Sequence, residues 1–434
     1  ILFILAAGLY FTFRSGLFQF RFFGHAIRTV VKRLFKGEEG GGDGTFSPMQ
    51  ALSTALGSTV GTGNISGVAT AIVVGGPGAV FWLWVAGLFG MLTKMVEITL
   101  AVFYRRKDAD GNPYGGPTYY MEDGIGKRFK MPKVAWTLII LFFIGFFMGF
   151  FINIQTYTVT EAISTTFGWG MIPVAVVYTI LLFIMISGGL KRIGDWCSVM
   201  VPVMCVFYLA GGLFIIFKNI DVLPAVIESI FVNAFTPTAA FGGFAGASVS
   251  LAMTTGFARS VYSNEAGWGT SPMIHASAKV DHPIKEGLVG VFEVFTSTFI
   301  ICTITALAVL VTGLWSTGID GANLTLTAFE SELGMFGRIV IAISVFLFGI
   351  TTASGIYVQS EAIFNHVIKN PKTVKVVINA YRFLYPLVAL IMVFIAVLNG
   401  LPGATIWLLA DASTALPILT NTATLIVLFP VFLK

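Results

Sequence analysis

The chain has 434 residues, of which 56% are hydrophobic and only 11% charged, with 48 Gly, 41 Phe and a formal net charge of +5. Soluble domains carry roughly 25% charged residues, so a mean hydropathy of +0.87 over this length excludes a disordered protein, a disulfide-stapled secreted scaffold and an ordinary soluble enzyme. What remains is a polytopic membrane protein.

Segments able to cross the hydrocarbon, about 20 apolar residues each, are predicted at 1–13, 48–74, 79–104, 134–167, 171–188, 196–218, 246–277, 287–315, 336–366, 374–398 and 404–433, eleven in all. The first is short and opens on Ile, as expected if the true N-terminus precedes it. A basic amphipathic piece over 18–35 follows and is expected to lie along the interface. The acidic, glycine-rich 37–44 reads as a flexible link into Ser47-Pro48.

The loops alternate in charge. Arg14, Arg21, Arg28, Lys32, Arg33 and Lys36 follow the first span, while 75–78 hold no basic residue. Seven basic residues from Arg105 to Lys133 come next, then none near Gly168, then Lys191 and Arg192, then Lys218 alone. Lys279 and Lys285, an empty 314–337, Lys369 with Lys372 and Lys375, and an empty 399–403 complete the series. By the positive-inside rule the rich loops are cytoplasmic, the N-terminus is outside and Lys434 is inside, in a multi-pass plasma (inner) membrane protein. Trp169, Trp315 and Trp407 fall at the outer helix ends, where an aromatic belt is expected.

Setting the first span aside, five helices fall in about 48–218 and five in about 246–433. An odd number per half gives the halves opposite orientations, as an inverted-topology repeat requires. The expected organisation is an extra helix and amphipathic segment over 1–46, a five-helix repeat over 47–219, an extracellular connector over 220–245 and a second repeat over 246–434.

The first helix of the first half carries Gly57-Ser-Thr-Val-Gly61-Thr-Gly63-Asn64 near mid-membrane. Each Gly costs about 1 kcal/mol relative to Ala in a helix, and unwound backbone is tolerated at that depth only where it lines a cavity. Close packing through small residues is the structural alternative. The corresponding helix of the second half, 252–272, carries a matching polar, glycine-containing interruption, and paired interruptions point to a transporter's binding site. Freed N–H groups at Thr62, Gly63 and Asn64 suit a carboxylate. Freed carbonyls near Gly57 and Val60 suit a hard cation or an ammonium group, so the pair of ends fits a zwitterion without a charged side chain.

Thr351 and Thr352 form a second oxygen cluster; adjacent hydroxyls in a helix either ligate an ion or bond to their own i−4 carbonyls. Gln155 is a mid-helix amide suited to interhelical bonding or substrate contact. Glu97, Glu161, Glu293, Glu361 and Asp411 sit near or within helices, where structural pairing is expected, and Glu265, six residues after Arg259, suits a gate or an ion pair. The Phe-rich 142–151 is expected to face lipid. Cys197, Cys205 and Cys302 show no disulfide or metal spacing. His25, His275, His282 and His366 fall in interfacial or loop regions as solvated side chains, so a metal enzyme is not indicated. Gly61-x-Gly63 with Gly67 is no dinucleotide fingerprint. A passive channel could also use broken helices, but inverted halves without a ring of charges favour a carrier.

At these residues the chain resembles the alanine-or-glycine:cation symporter family, the sodium:alanine symporters. The resemblance rests on Gly75-Gly-Pro-Gly-Ala-Val-Phe-Trp-Leu-Trp84-Val-Ala-Gly87, on Gly61-Thr-Gly-Asn-Ile-Ser-Gly67 and on Tyr262-Ser-Asn-Glu-Ala-Gly-Trp-Gly269-Thr-Ser-Pro272. Arg259-Ser260 departs from the family's basic-Gly pair. The resemblance implies an all-α, leucine-transporter-like fold and import of alanine and glycine driven by sodium or, in some members, protons. It implies Gly57, Val60 and Phe348 as carbonyl ligands and Thr351 and Thr352 as hydroxyl ligands of one sodium. Thr62, Gly63 and Asn64 would hold the substrate carboxylate. A break at Thr254, Thr255, Gly256 and Phe257, together with Gln155, would complete the pocket, with Phe257 limiting side-chain size. The implied partners are an amino acid, the cation and the bilayer, with no cofactor, nucleic acid or obligatory protein partner.

Overall fold

A computed structural model describes residues 2–35, 42–152, 154–239, 246–401 and 403–434, with the side chains of all but 34–35, 150–152 and 403–411. Residues 37–41 of the expected link, Asn153, and the side chains of Trp407 and Asp411 lie outside what is described.

Helices carry the structure. In chain order the α-helices of five or more residues are α1 Leu2–Arg14, α2 Phe23–Phe35, α3 Pro48–Thr59, α4 Val68–Gly75, α5 Gly78–Phe103, α6 Pro132–Ile152, α7 Ile154–Phe167, α8 Met171–Ser187, α9 Gly189–Lys218, α10 Leu223–Phe235, α11 Val249–Asn264, α12 Ser271–His275, α13 Pro283–Val294, α14 Thr303–Val311, α15 Gly321–Val367, α16 Pro371–Leu398 and α17 Gly403–Phe432. A two-residue antiparallel ladder, Arg106–Lys107 with Pro113–Tyr114, adds a small hairpin. Seven helical stretches are long and apolar enough to span a bilayer, and four shorter apolar helices accompany them among the described residues.

Several boundaries follow from local chemistry. α3 starts at a capping box: the Ser47 hydroxyl accepts from the Gln50 N–H at 3.2 Å, and Gln50 Oε1 accepts from the Ser47 N–H at 2.8 Å. α15 is bent at Gly334, whose φ of 65° a side chain would resist, so the span predicted at 336–366 is the part beyond that bend. The connector expected over 220–245 contains α10, which packs on α5 and α11. One face of the Phe-rich stretch turns inward rather than to lipid: Phe142 and Phe146 are buried because α6 packs along α17, where Gly145 lets Pro417 approach.

The core forms around two long contacts. α11 and α13 pack on α5, and α15 packs on α3, α7 and α9. α1 lies against α5 and α17, with Phe11 4.7 Å from Phe429 between ring centroids. The loops rich in Lys and Arg meet at one end: Arg105 donates to the Ala278 carbonyl at 2.9 Å, Lys375 pairs with Asp110 at 3.1 Å, and Arg106 pairs with Asp123 at 2.6 Å. A cavity of ≈ 580 Å³ opens there, lined by Lys107, Asp110, Lys191, Glu361 and Arg382 among others.

Candidate functional site

The first interruption lies where the glycines cluster. α3 stops at Thr59, and Val60 leaves helical geometry with φ −83° and ψ 89°. The chain turns helical again at Thr62 and passes through a π-helical turn, Gly63–Gly67, into α4. The glycines are required by close approach: a Cβ on Gly61 would lie 2.5 Å from Thr352 Oγ1, and one on Gly63 would lie 2.8 Å from the Tyr262 ring.

Asn64 braces the gap. Its Oδ1 accepts from the Gly61 N–H at 3.0 Å, and its Nδ2 donates to the Ser297 carbonyl at 3.2 Å and to Cys302 Sγ at 3.3 Å. Those acceptors belong to a second π-helical turn, Phe295–Cys302, whose wide spacing releases carbonyls from the ordinary ladder. The Asn64 N–H, expected to be free, donates to the Gly61 carbonyl at 3.1 Å. The tight reversal at Val60–Gly61 brings that carbonyl within reach.

Facing the gap from α15, Thr352 donates to the Gly57 carbonyl at 2.9 Å. Thr351 donates within its own helix, to the carbonyls of Leu347 at 2.9 Å and Phe348 at 3.1 Å, while its Cβ sits 3.0 Å from where a Cβ on Gly57 would be. Gly57, Phe348, Thr351 and Thr352 therefore converge at one contact between α3 and α15, with Val60 buried at the end of α3. Uncharged oxygens gathered beside a helix end suit a hard monovalent cation.

The second interruption lies within the expected 252–272, but not at Thr254–Phe257. α11 runs unbroken through Thr254, Thr255, Gly256 and Phe257, and the hydroxyls of Thr254 and Thr255 are satisfied within it by the carbonyls of Ser250 and Leu251 at 2.9 and 2.8 Å. The break comes at 265–270, where Glu265, Gly267 and Gly269 take φ of 55°, 87° and 86°. Gly256 serves packing against the Ala79 carbonyl on α5.

The two breaks face one another across a cavity of ≈ 10 Å³, about the space of one water-sized sphere. Thr59, Thr62, Gly63, Gln155, Glu265 and Thr352 contribute to its lining, closed on one side by the ring pair Tyr262 and Trp268, 5.4 Å apart. Thr62 Oγ1 is buried there without a hydrogen bond. Phe257 lines a neighbouring apolar cavity of ≈ 270 Å³, which Tyr262 and Trp268 separate from the first.

Some of these side chains depart from the sequence reading. Glu265, expected as a gate or an ion-pair residue, places a carboxyl in the lining, where uncharged backbone ends alone did not call for one. Lys94, fully buried on α5, was not singled out at all. His25 and His282 are exposed as expected, but His275 and His366 are buried. Each of these two is drawn in by carboxylates: His275 by Glu286 and Glu293, His366 by Glu122 at 2.8 Å. Of the membrane carboxyls, Glu97 accepts from Asn421 at 2.5 Å and Glu361 lies 3.9 Å from Arg382. Glu122, outside the spans, would be raised by burial, but contacts with His366 and Arg106 outweigh this and hold it down to about 2.

The sequence profile of the sodium:alanine symporter family matches residues 1–434. The chain is 36% identical over 418 residues to the sodium/alanine symporter AgcS of Methanococcus maripaludis, covering 94% of this chain and 86% of that one. It is likewise 36% identical over 418 residues to the amino-acid carrier protein AlsT of Bacillus subtilis, covering 96% and 84%. Among solved structures, MhsT in complex with L-phenylalanine superposes with a TM-score of 0.55 at 16% identity, over 91% of this chain and 99% of that one. The fold is thus that of the leucine-transporter class.

Proposed function

Since the chain belongs to the sodium:alanine symporter family, and so carries an amino acid coupled to a cation, we propose that its substrates are alanine and glycine, imported with sodium by alternating access. The observation that carries this reading is the juxtaposition of the Gly57–Thr352 contact with the Thr62–Gly63 helix start at one small cavity. In this assignment Gly57, Val60, Phe348, Thr351 and Thr352 hold sodium. Thr62 and Gly63 receive the substrate carboxylate, with Asn64 acting chiefly as their brace, and Gln155 contacts the substrate. Thr254, Thr255, Gly256 and Phe257 support the pocket from behind.

Sodium bound between α3 and α15 fixes the unwound segment, which preorders the amides for the carboxylate. A cavity with room for one water-sized sphere has to open to admit even alanine, so substrate entry requires the halves to move. One positive charge carried inward across 100 mV contributes ~2.3 kcal/mol, a concentration ratio of roughly 50. The organisation we propose is eleven crossings: the extra helix and amphipathic segment over 1–46, five-helix repeats over 47–219 and 246–434, and an extracellular connector over 220–245. The N-terminus lies outside and the C-terminus in the cytoplasm of the inner membrane. The meeting of the Lys- and Arg-rich loops at one end supports that orientation.

The test is uptake of labelled alanine by proteoliposomes with and without an inward sodium gradient, with glycine, serine and leucine as competitors. Saturable, sodium-driven uptake with counterflow, inhibited by glycine, is expected. Non-saturable flux or indifference to sodium contradicts the proposal.

A further inference from the structure

A chain of buried ionisable groups leads away from the pocket, and the transport cycle as described leaves most of it unused. It begins near the surface at Arg33 on α2, which pairs with Glu286 on α13 at 2.6 Å. Glu286 Oε1 lies 2.8 Å from His275 Nδ1, and Glu293 Oε2 lies 3.0 Å from His275 Nε2. Glu293 Oε1 lies 3.6 Å from Lys94 Nζ, which makes no hydrogen bond. Lys94 is within electrostatic reach of Glu265, which lines the pocket.

The ring of His275 is the informative group. A neutral imidazole has one N–H and one lone pair. With both nitrogens within 3.0 Å of carboxylate oxygens, the neutral ring would set a lone pair against an acceptor. Both contacts are favourable together when the ring carries two protons and donates from each nitrogen, with a carboxylate at either end. Fully buried at the end of α12, that imidazolium ties the short helix following the second break to α13. Ser271, one turn earlier on α12, donates to the same Glu293 at 2.9 Å.

The surroundings of His275 define its charge environment. From α13 it meets Glu286 and Glu293, and behind them stand Arg33 on α2 and Lys94 on α5, with Glu97 three residues beyond Lys94. Arg105 donates to the carbonyls of Ala276 and Ala278 beside it. α3, also packed on α12, has no ionisable residue; on α15, Tyr357 lies 3.2 Å from Arg382, Glu361 lies 3.9 Å from Arg382 and His366 lies 2.8 Å from Glu122. No group of His, Cys, Asp and Glu among the described residues converges to hold a metal ion.

We propose that His275 is a proton-binding site coupled to the pocket: its second proton clamps α12 to α13, and departure of that proton frees α12 to move. The proton passes from Nδ1 to the Glu286 carboxylate and then to water at the end where Arg33 reaches the surface. The neutral ring and two ionised carboxylates remain. The Glu293 side leads inward to Lys94, which links the clamp to Glu265. This inference rests on the transport reading for its consequence but not for the state of the ring.

Two measurements on the full-length protein separate these. With ¹⁵N-labelled histidine in detergent, the ring signal absent from His275→Gln is expected to show both nitrogens protonated at about pH 8, where exposed histidines are neutral. A neutral single tautomer at about pH 7 overturns the proposal. In proteoliposomes, alanine uptake is expected to slow about fivefold when the Arg33 side is acidified from about pH 8 to about pH 6, and to become flat in His275→Gln. An equal slope in the variant, or no slope in the parent, also overturns it. If His275→Gln does not fold, Glu286→Gln, which removes the exit carboxylate, replaces it: the His275 ring is then the histidine signal that this variant shifts, and its uptake is expected to lose its slope with pH. Absence of any alanine uptake tells against the transport reading, while the ring signal still decides the proton site.

Discussion

Thr352 donates its hydroxyl hydrogen to the carbonyl of Gly57, 295 residues earlier in the chain, at 2.9 Å. It joins the two halves at a helix break, as do the bonds of Asn64 to Ser297 and Cys302. If this contact marks the cation site, Thr352→Ala weakens sodium binding at least about tenfold, the effect expected from losing one good ligand or hydrogen bond of about 1.4 kcal/mol. Thr351→Ala has the smaller effect in this geometry, because that hydroxyl is already held within α15. Sodium titration of alanine-induced thermal stabilisation checks the order.

Gly61→Ala places a Cβ 2.5 Å from Thr352 Oγ1. Overpacking of this kind costs about 1–3 kcal/mol, so the variant melts at lower temperature. Adding Thr352→Ala removes the clashing oxygen and recovers most of the melting temperature, though not sodium affinity. No recovery in the double variant contradicts the packing account.

Asn64→Ala deletes the acceptor of the Gly61 N–H and both Nδ2 donations. Leaving a buried N–H and carbonyl unpaired costs about 1–3 kcal/mol each. Asn64→Asp keeps the acceptor but faces the Ser297 carbonyl with an oxygen. Both variants are expected to unfold earlier than the parent, and alanine affinity falls in each because the amides of Thr62 and Gly63 lose their brace. Unchanged affinity in well-folded Asn64→Ala tells against that role.

Trp268 and Tyr262 stand between the small cavity and the ≈ 270 Å³ apolar one. Trp268→Ala joins the two spaces. Leucine, expected to compete poorly in the parent, is then expected to inhibit alanine uptake at least about tenfold better, the gain of about 1.4 kcal/mol available from burying a few methylenes. Equal leucine inhibition in both proteins removes the aromatic pair from the size limit.

The Glu122 carboxyl, with an ordinary value of 4.5, is held down to about 2; burial opposes this and the His366 and Arg106 contacts dominate. A carboxylate depressed by folding contributes stability that is complete above its unfolded value and lost as pH falls through its folded one. The melting temperature should therefore drop as pH is lowered from 4.5 to about 2. Glu122→Gln is less stable at neutral pH and flatter over that window.

The first break was legible because Gly57, Gly61 and Gly63 lie within seven residues of sequence and none suits a helix at mid-membrane. The second was legible as a region but not as a position. Thr254 and Thr255 look like helix-weakening residues, yet their hydroxyls turn back onto their own helix, whereas Gly267 and Gly269 adopt the left-handed geometry that opens it. Lys94 differs: a lysine inside the span predicted at 79–104 is itself a signal, but its partner Glu293 on α13 is set by tertiary packing. The buried state of His275 depends on the same helix.

The π-helical turn at Phe295–Cys302 has a counting consequence. It holds one residue more than an ordinary turn, so deleting one of its members would restore the ordinary ladder while the helix on either side keeps its facing. The Ser297 oxygen would return to its own ladder and Asn64 would lose its acceptor more than two hundred positions away. Length is therefore fixed here as firmly as identity: this stretch can exchange side chains more readily than it can lose a single link.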